Sequence, residues 1–233
     1  MTGILKFACV IALSGITAAA MAAIDKSAPE QVNQEALKDS GEWRERPFRL
    51  PPVDPKAFTP EQRQAAEEMN HFLNLKQMSG PFQFWVSDPR VLRGYLPLLK
   101  AENDSRHLSP RLTRLLAITI AQQWGAQYEW FIQARLAKRD GVAPEIIEAI
   151  RVGKRPDFKK ADEALVYDAL TELDRSKALS DATFKQLHDA FGYGGTAEFI
   201  NFTAIFMAAG VTIKMLNIKA PEPFDADPVP RAK

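Results

Sequence analysis

The 233 residues are 46% hydrophobic and 25% charged, a balance that suits one soluble globular domain and excludes an extended disordered chain. The 30 basic and 29 acidic side chains leave a formal net charge of +1, so no long-range field draws nucleic acid, anionic lipid or a strongly acidic partner. A single cysteine, Cys9, excludes an internal disulfide.

The first element in chain order is a secretory signal over residues 1–22. Lys6 precedes the apolar run Phe7 to Ala19, and Ala20-Met21-Ala22 supplies small residues before a cleavage point at Ala23. A membrane anchor is the competing reading, but the run is short against the about 20 residues that a bilayer needs, and Asp25 and Lys26 follow at once. Cys9 lacks the apolar and small residues that lipid attachment requires before it. The expectation is a periplasmic or secreted protein, free of the membrane after cleavage and without a thiol, because Cys9 leaves with the signal.

Residues 23–56 hold Pro29, Pro47, Pro51, Pro52 and Pro55, which remove backbone donors and fix φ, so an extended arm is expected. Trp43, Phe48 and Leu50 are the side chains that would pin it to the domain or to a second subunit; a free linker is the alternative. Helix starts then recur at Thr59-Pro60, Asp88-Pro89, Ser109-Pro110 and Ala143-Pro144, each placing proline where the first-turn donor is orphaned anyway. The pattern predicts helices near 60–78, 89–101, 110–123, 126–139, 144–151, 161–175, 181–191 and 196–217. No sustained period-two alternation or Asn-Gly hairpin turn is present, so the predicted fold is all-α over residues 57–219, with a Pro-rich tail at 220–233. The last helix carries Phe199, Ile200, Phe202, Ile205, Phe206, Met207, Val211, Ile213 and Met215 around most of its circumference. It is either a central core helix or a helix shared with another subunit.

The segment Trp124-Gly125-Ala126-Gln127-Tyr128-Glu129-Trp130-Phe131-Ile132-Gln133 stands in the middle of a series that includes Gly80-Pro81-Phe82, Pro110-Arg111-Leu112, Pro144-Glu145-Ile146, Glu163-Ala164-Leu165 and Leu179-Ser180-Asp181. In order and spacing, from about Gly80 to Ile218, the series resembles the carboxymuconolactone decarboxylase and alkylhydroperoxidase D superfamily. The resemblance implies a compact helical fold, a homo-oligomer, trimer or hexamer, and an active site between helices near a subunit boundary. Redox members of that superfamily carry Cys-x-x-Cys-x-x-x-His in this helix and a glutamate in the helix before it. Here those positions are Ala126, Glu129, Gln133 and Arg114, so the thiol hydroperoxide reductase activity that the resemblance implies is disfavoured. Decarboxylase-like members often show Tyr-Glu-Trp-x-x-His, and Tyr128-Glu129-Trp130 is retained with Gln133 in place of the histidine.

Residues four apart share a helix face, so Glu129 and Gln133 point the same way. A carboxyl group beside indoles is desolvated and titrates closer to neutrality, which suits general acid–base work. Gln133 orients a carbonyl or carboxylate but shuttles no proton. Arg114 offers a planar fork for a substrate carboxylate, while its alternative role is a plain salt bridge to Glu129. Trp124, Tyr128 and Trp130 are the expected pocket walls. His71, His107 and His188 are scattered, no metal-ligand spacing, phosphate loop or nucleophile elbow is present, and neither metal nor cofactor is expected.

Two functions follow. One is a cofactor-free lyase or isomerase that moves a proton through Glu129 on a small aromatic or lactone-type carboxylic acid. The other is a catalytically degenerate binding or scaffold subunit that kept the assembly and lost the reaction.

Overall fold

A computed structural model describes residues 48–220, and among these the chain is all helical. The expected signal at 1–22, Trp43 with most of the arm, and the tail beyond Ala220 lie outside the described residues. After a short 3-10 helix at Pro55–Ala57, the helices are α1 (Pro60–Leu73), α2 (Phe82–Trp85), α3 (Pro89–Asn103), α4 (Pro110–Gln123), α5 (Gln127–Arg139), α6 (Pro144–Arg151), α7 (Ala161–Ser176) and α8 (Asp181–Leu216).

The starts obey local chemistry. Thr59 and Gln62 form a reciprocal capping box on α1, Asp88 accepts from the Arg90 amide at α3, and Ser109 and Ser180 accept from the third amides of α4 and α8. Two departures from the expected boundaries have equally local causes. The first helix stops at Leu73 rather than 78 because Asn74 turns left-handed at φ 52°, closing the end with hydrogen bonds to Asn70 and His71. The two last predicted helices run together as α8, broken at Gly192, whose φ of 64° and ψ of −174° suit glycine alone.

The centre of the bundle is α4. Its residues from Leu115 to Ala121 are all buried, because Leu115, Leu116, Ile118 and Ile120 make the helix apolar on every side and α5, α6, α7 and α8 pack around it. Thr119, the polar residue in that run, donates its hydroxyl to the Leu115 carbonyl at 2.8 Å and so leaves nothing unpaired. The last helix is less central than its composition suggests: Phe199, Phe202, Ile205, Phe206 and Ile213 are buried against the core, whereas Tyr193, Ile200 and Met215 are exposed.

Of the arm residues, Phe48 lies with its ring centroid 6.3 Å from that of Phe84, and the Arg49 amide donates to the Leu216 carbonyl at 3.1 Å. Leu50 is 54% exposed and packs little of its surface.

Candidate active site

A cavity of about 530 Å³ opens between α1, α2, α3, α4, α5 and α8. Its polar floor is built by three helices. Arg114 comes from the first half of α4; Glu129 and Gln133 come from one face of α5, being four residues apart; Glu102 comes from the last turn of α3. The walls are apolar, with Phe72 from α1, Phe82 and Trp85 from α2, Leu99 from α3, Ile132 from α5 and Phe206 from α8.

The floor is one hydrogen-bonded chain. Arg114 Nη1 donates to Glu102 Oε1 at 2.8 Å and to Gln133 Oε1 at 3.2 Å, and Arg114 Nε donates to Asp140 Oδ2 at 3.1 Å. Gln133 Nε2 then donates to Glu129 Oε1 at 3.0 Å. Glu129 Oε2 is left without a partner among the described residues.

Burial sets the titration of this group of acids. Glu129 is 7% exposed, and loss of hydration pushes its carboxyl up from 4.5 to about 7. The hydrogen bond from Gln133 opposes the rise, the charge of Glu102 adds to it, and Arg114 offsets it weakly. Glu102 is also raised by desolvation, against the pull of the Arg114 guanidinium. Asp140, nearer the surface, is held below its ordinary range chiefly by the Arg139 guanidinium and also by Arg114. Burial raises the Tyr128 phenol, with a hydrogen bond to Ser79 acting the other way.

The structure thus brings together Glu129, Gln133, Arg114 and Tyr128 on the cavity. It does not bring the two tryptophans there. Trp130, 1% exposed, lies in the core cluster with α4 because it follows Glu129 by one residue, about 100° around the helix, and faces the bundle interior. Trp124 caps the end of α4 at 37% exposure and lies over Gly210 of α8, outside the cavity lining. Their place as aromatic wall is taken by Phe82 and Trp85. Trp85 is held by a stack on Tyr95, with centroids 4.1 Å apart and planes at 7°, and by donation from Nε1 to Thr212 Oγ1 at 3.2 Å.

The alternative role of Arg114, a salt bridge to Glu129, is not formed; Arg114 pairs with Glu102 and Asp140 instead. Ala126, at the first cysteine position of the resembled motif, is fully buried beside Phe84, Tyr128 and Ile213. Glu102 and Asp140 were not singled out from the sequence as site residues. Among the described residues no group of histidine, cysteine and carboxylate side chains is arranged to hold a metal ion.

Fold and site together define a helical bundle with a mostly apolar small-molecule cavity and a buried, titratable carboxyl on its floor. No family model matches the chain, and no curated protein matches it. Among solved structures, the debrominase Bmp8 without ligand is 14% identical with a TM-score of 0.58, covering 73% of this chain and 91% of its own. A cysteine-to-alanine variant of Bmp8 in complex with 2,3,4-tribromopyrrole is also 14% identical, with a TM-score of 0.59 over 76% of this chain and 95% of its own. At this identity the likeness establishes a shared fold, and it is consistent with the alkylhydroperoxidase D-like resemblance.

Proposed function

We propose that the chain is a cofactor-free enzyme that holds a small ring compound, aromatic or lactone-type, in the cavity and moves one of its protons through Glu129. The observation that carries this is the Glu129 carboxyl itself. It lines the cavity, titrates at about 7 and, among the described residues, accepts a hydrogen bond from Gln133 on Oε1 alone, so Oε2 is available to a substrate. A group half-protonated near neutrality serves as base in one step and acid in the next, as a lyase or isomerase requires. Gln133 fixes the orientation of the carboxyl through Oε1, and Phe82 and Trp85 give a ring an apolar surface. The structural neighbour Bmp8, a debrominase studied with a brominated pyrrole, supports a small ring as the type of ligand this fold accommodates.

Thiol peroxidase chemistry is disfavoured on the same residues, with Ala126 and Glu129 where a thiol pair would stand. The proposal includes export, supported by the apolar run Phe7 to Ala19, and self-association as a trimer or hexamer. The apolar side chains of Tyr193, Ile200 and Met215 on the outside of α8 support the latter. One observation favours the second reading, a degenerate binding subunit: Arg114 is engaged by two carboxylates and Gln133, as a structural arginine would be.

The test is conversion. The wild type and Glu129→Gln are incubated with small aromatic compounds and lactones, and products are read by mass spectrometry. Turnover by wild type alone is expected; ligand binding without conversion in both proteins moves the reading to the binding subunit.

A further inference from the structure

The charge on the cavity floor narrows the ligand further, given the reading of this cavity as the substrate site. Two cationic side chains line it, Arg114 and Arg139, and both are already matched. Arg114 pairs with Glu102 and Asp140, and Arg139 binds both oxygens of the same Asp140, at 2.7 and 2.9 Å. With Glu129 protonated, the two guanidiniums and the Glu102 and Asp140 carboxylates cancel; with Glu129 ionised, the group carries one excess negative charge. A ligand carboxylate would enter a mostly apolar cavity with no spare cation among the described residues, and its lost hydration would go unrepaid. Arg114 Nη2, however, has no partner among the described residues, and its side chain lines the cavity. That donor suits an uncharged carbonyl oxygen, which needs a hydrogen bond and no counter-ion.

We infer that the cavity selects an uncharged ring compound bearing a carbonyl acceptor, such as a lactone, cyclic ketone or amide, over the corresponding carboxylic acid. This departs from the carboxylic-acid substrate expected from sequence. A carboxylate would need the charge of Arg114 unmatched, and Glu102, contributed by a separate helix, neutralises it through Nη1.

The experiment compares matched probes on the full chain by equilibrium dialysis and thermal shift: phenylacetamide against phenylacetate, and dihydrocoumarin against its ring-opened hydroxy acid. The neutral member of each pair is expected to bind at least about tenfold tighter. Equal or tighter binding of the carboxylates overturns the inference, and so does binding of neither member. Glu102→Gln, which leaves Arg114 with one carboxylate fewer, should shift the ratio toward the acids; an unchanged ratio also counts against it. Neutral preference without any chemical conversion would leave the inference standing and sink the proposed proton transfer, so the two failures are distinguishable.

Discussion

Replacing Glu129 with glutamine should stabilise the protein, and the gain should depend on pH. In the folded chain the carboxyl titrates at about 7 against an ordinary 4.5, because burial disfavours its charged form. A carboxyl raised in this way binds protons more tightly when folded, so its neutral form is harmless at low pH and stability is lost as pH climbs from 4.5 through about 7. Once fully ionised, Glu129 costs the wild type about 3 kcal/mol, each pKa unit being worth about 1.4 kcal/mol. Glutamine keeps the shape and never ionises. For a domain of this size about 3 kcal/mol corresponds to roughly 6 to 12 °C in Tm. Scanning fluorimetry of both proteins should therefore show coincident Tm values at about pH 4, a gap that opens as pH rises, and a plateau above about pH 8. A gap independent of pH, or a variant that is less stable at alkaline pH, would refute the assignment of a desolvated carboxyl to this position.

Other residues give sharper local tests. Glu102→Gln removes a like charge that raises Glu129, so the midpoint of the Glu129 titration, followed by carboxyl-carbon NMR, should fall; a rise would contradict the arrangement. Gly80→Ala should lower stability by about 2 kcal/mol in urea unfolding, since its φ is 56° and a Cβ there would stand 2.2 Å from the Tyr128 ring. Trp130→Ala should cost about 3 to 5 kcal/mol as a core cavity, whereas Trp124→Ala should leave ligand affinity in the cavity unchanged. The reverse pattern would restore the two tryptophans to the pocket.

The helix starts were legible because their causes are local: first-turn proline after the caps Thr59, Asp88 and Ser109, and the serine cap Ser180 alone at α8. The α1 end was not, because whether Asn74 turns left-handed or continues the helix is decided by what packs beyond it. Four-residue spacing correctly joined Glu129 to Gln133 on one face. The same segment gave no means to tell which face met the core, and so Trp130 was assigned to the pocket when it faces α4. Glu102 stayed hidden for a different reason. It lies on α3, 12 positions before Arg114, at the end of a helix where an acid usually meets water, and only the tertiary fold brings that end within reach of the guanidinium. The aromatic wall of Phe82 and Trp85 depends likewise on α2, a four-residue helix too short to show a period.

The central claim is that Glu129 is the proton-moving group of an enzyme, and the most direct measurement is the pH dependence of turnover on a substrate found by the ring-compound screen. Wild-type kcat/KM should inflect at about pH 7, where Glu129 changes charge, and Glu129→Gln should form no product at any pH while remaining folded. Product formation by the glutamine variant at the wild-type rate would contradict the claim.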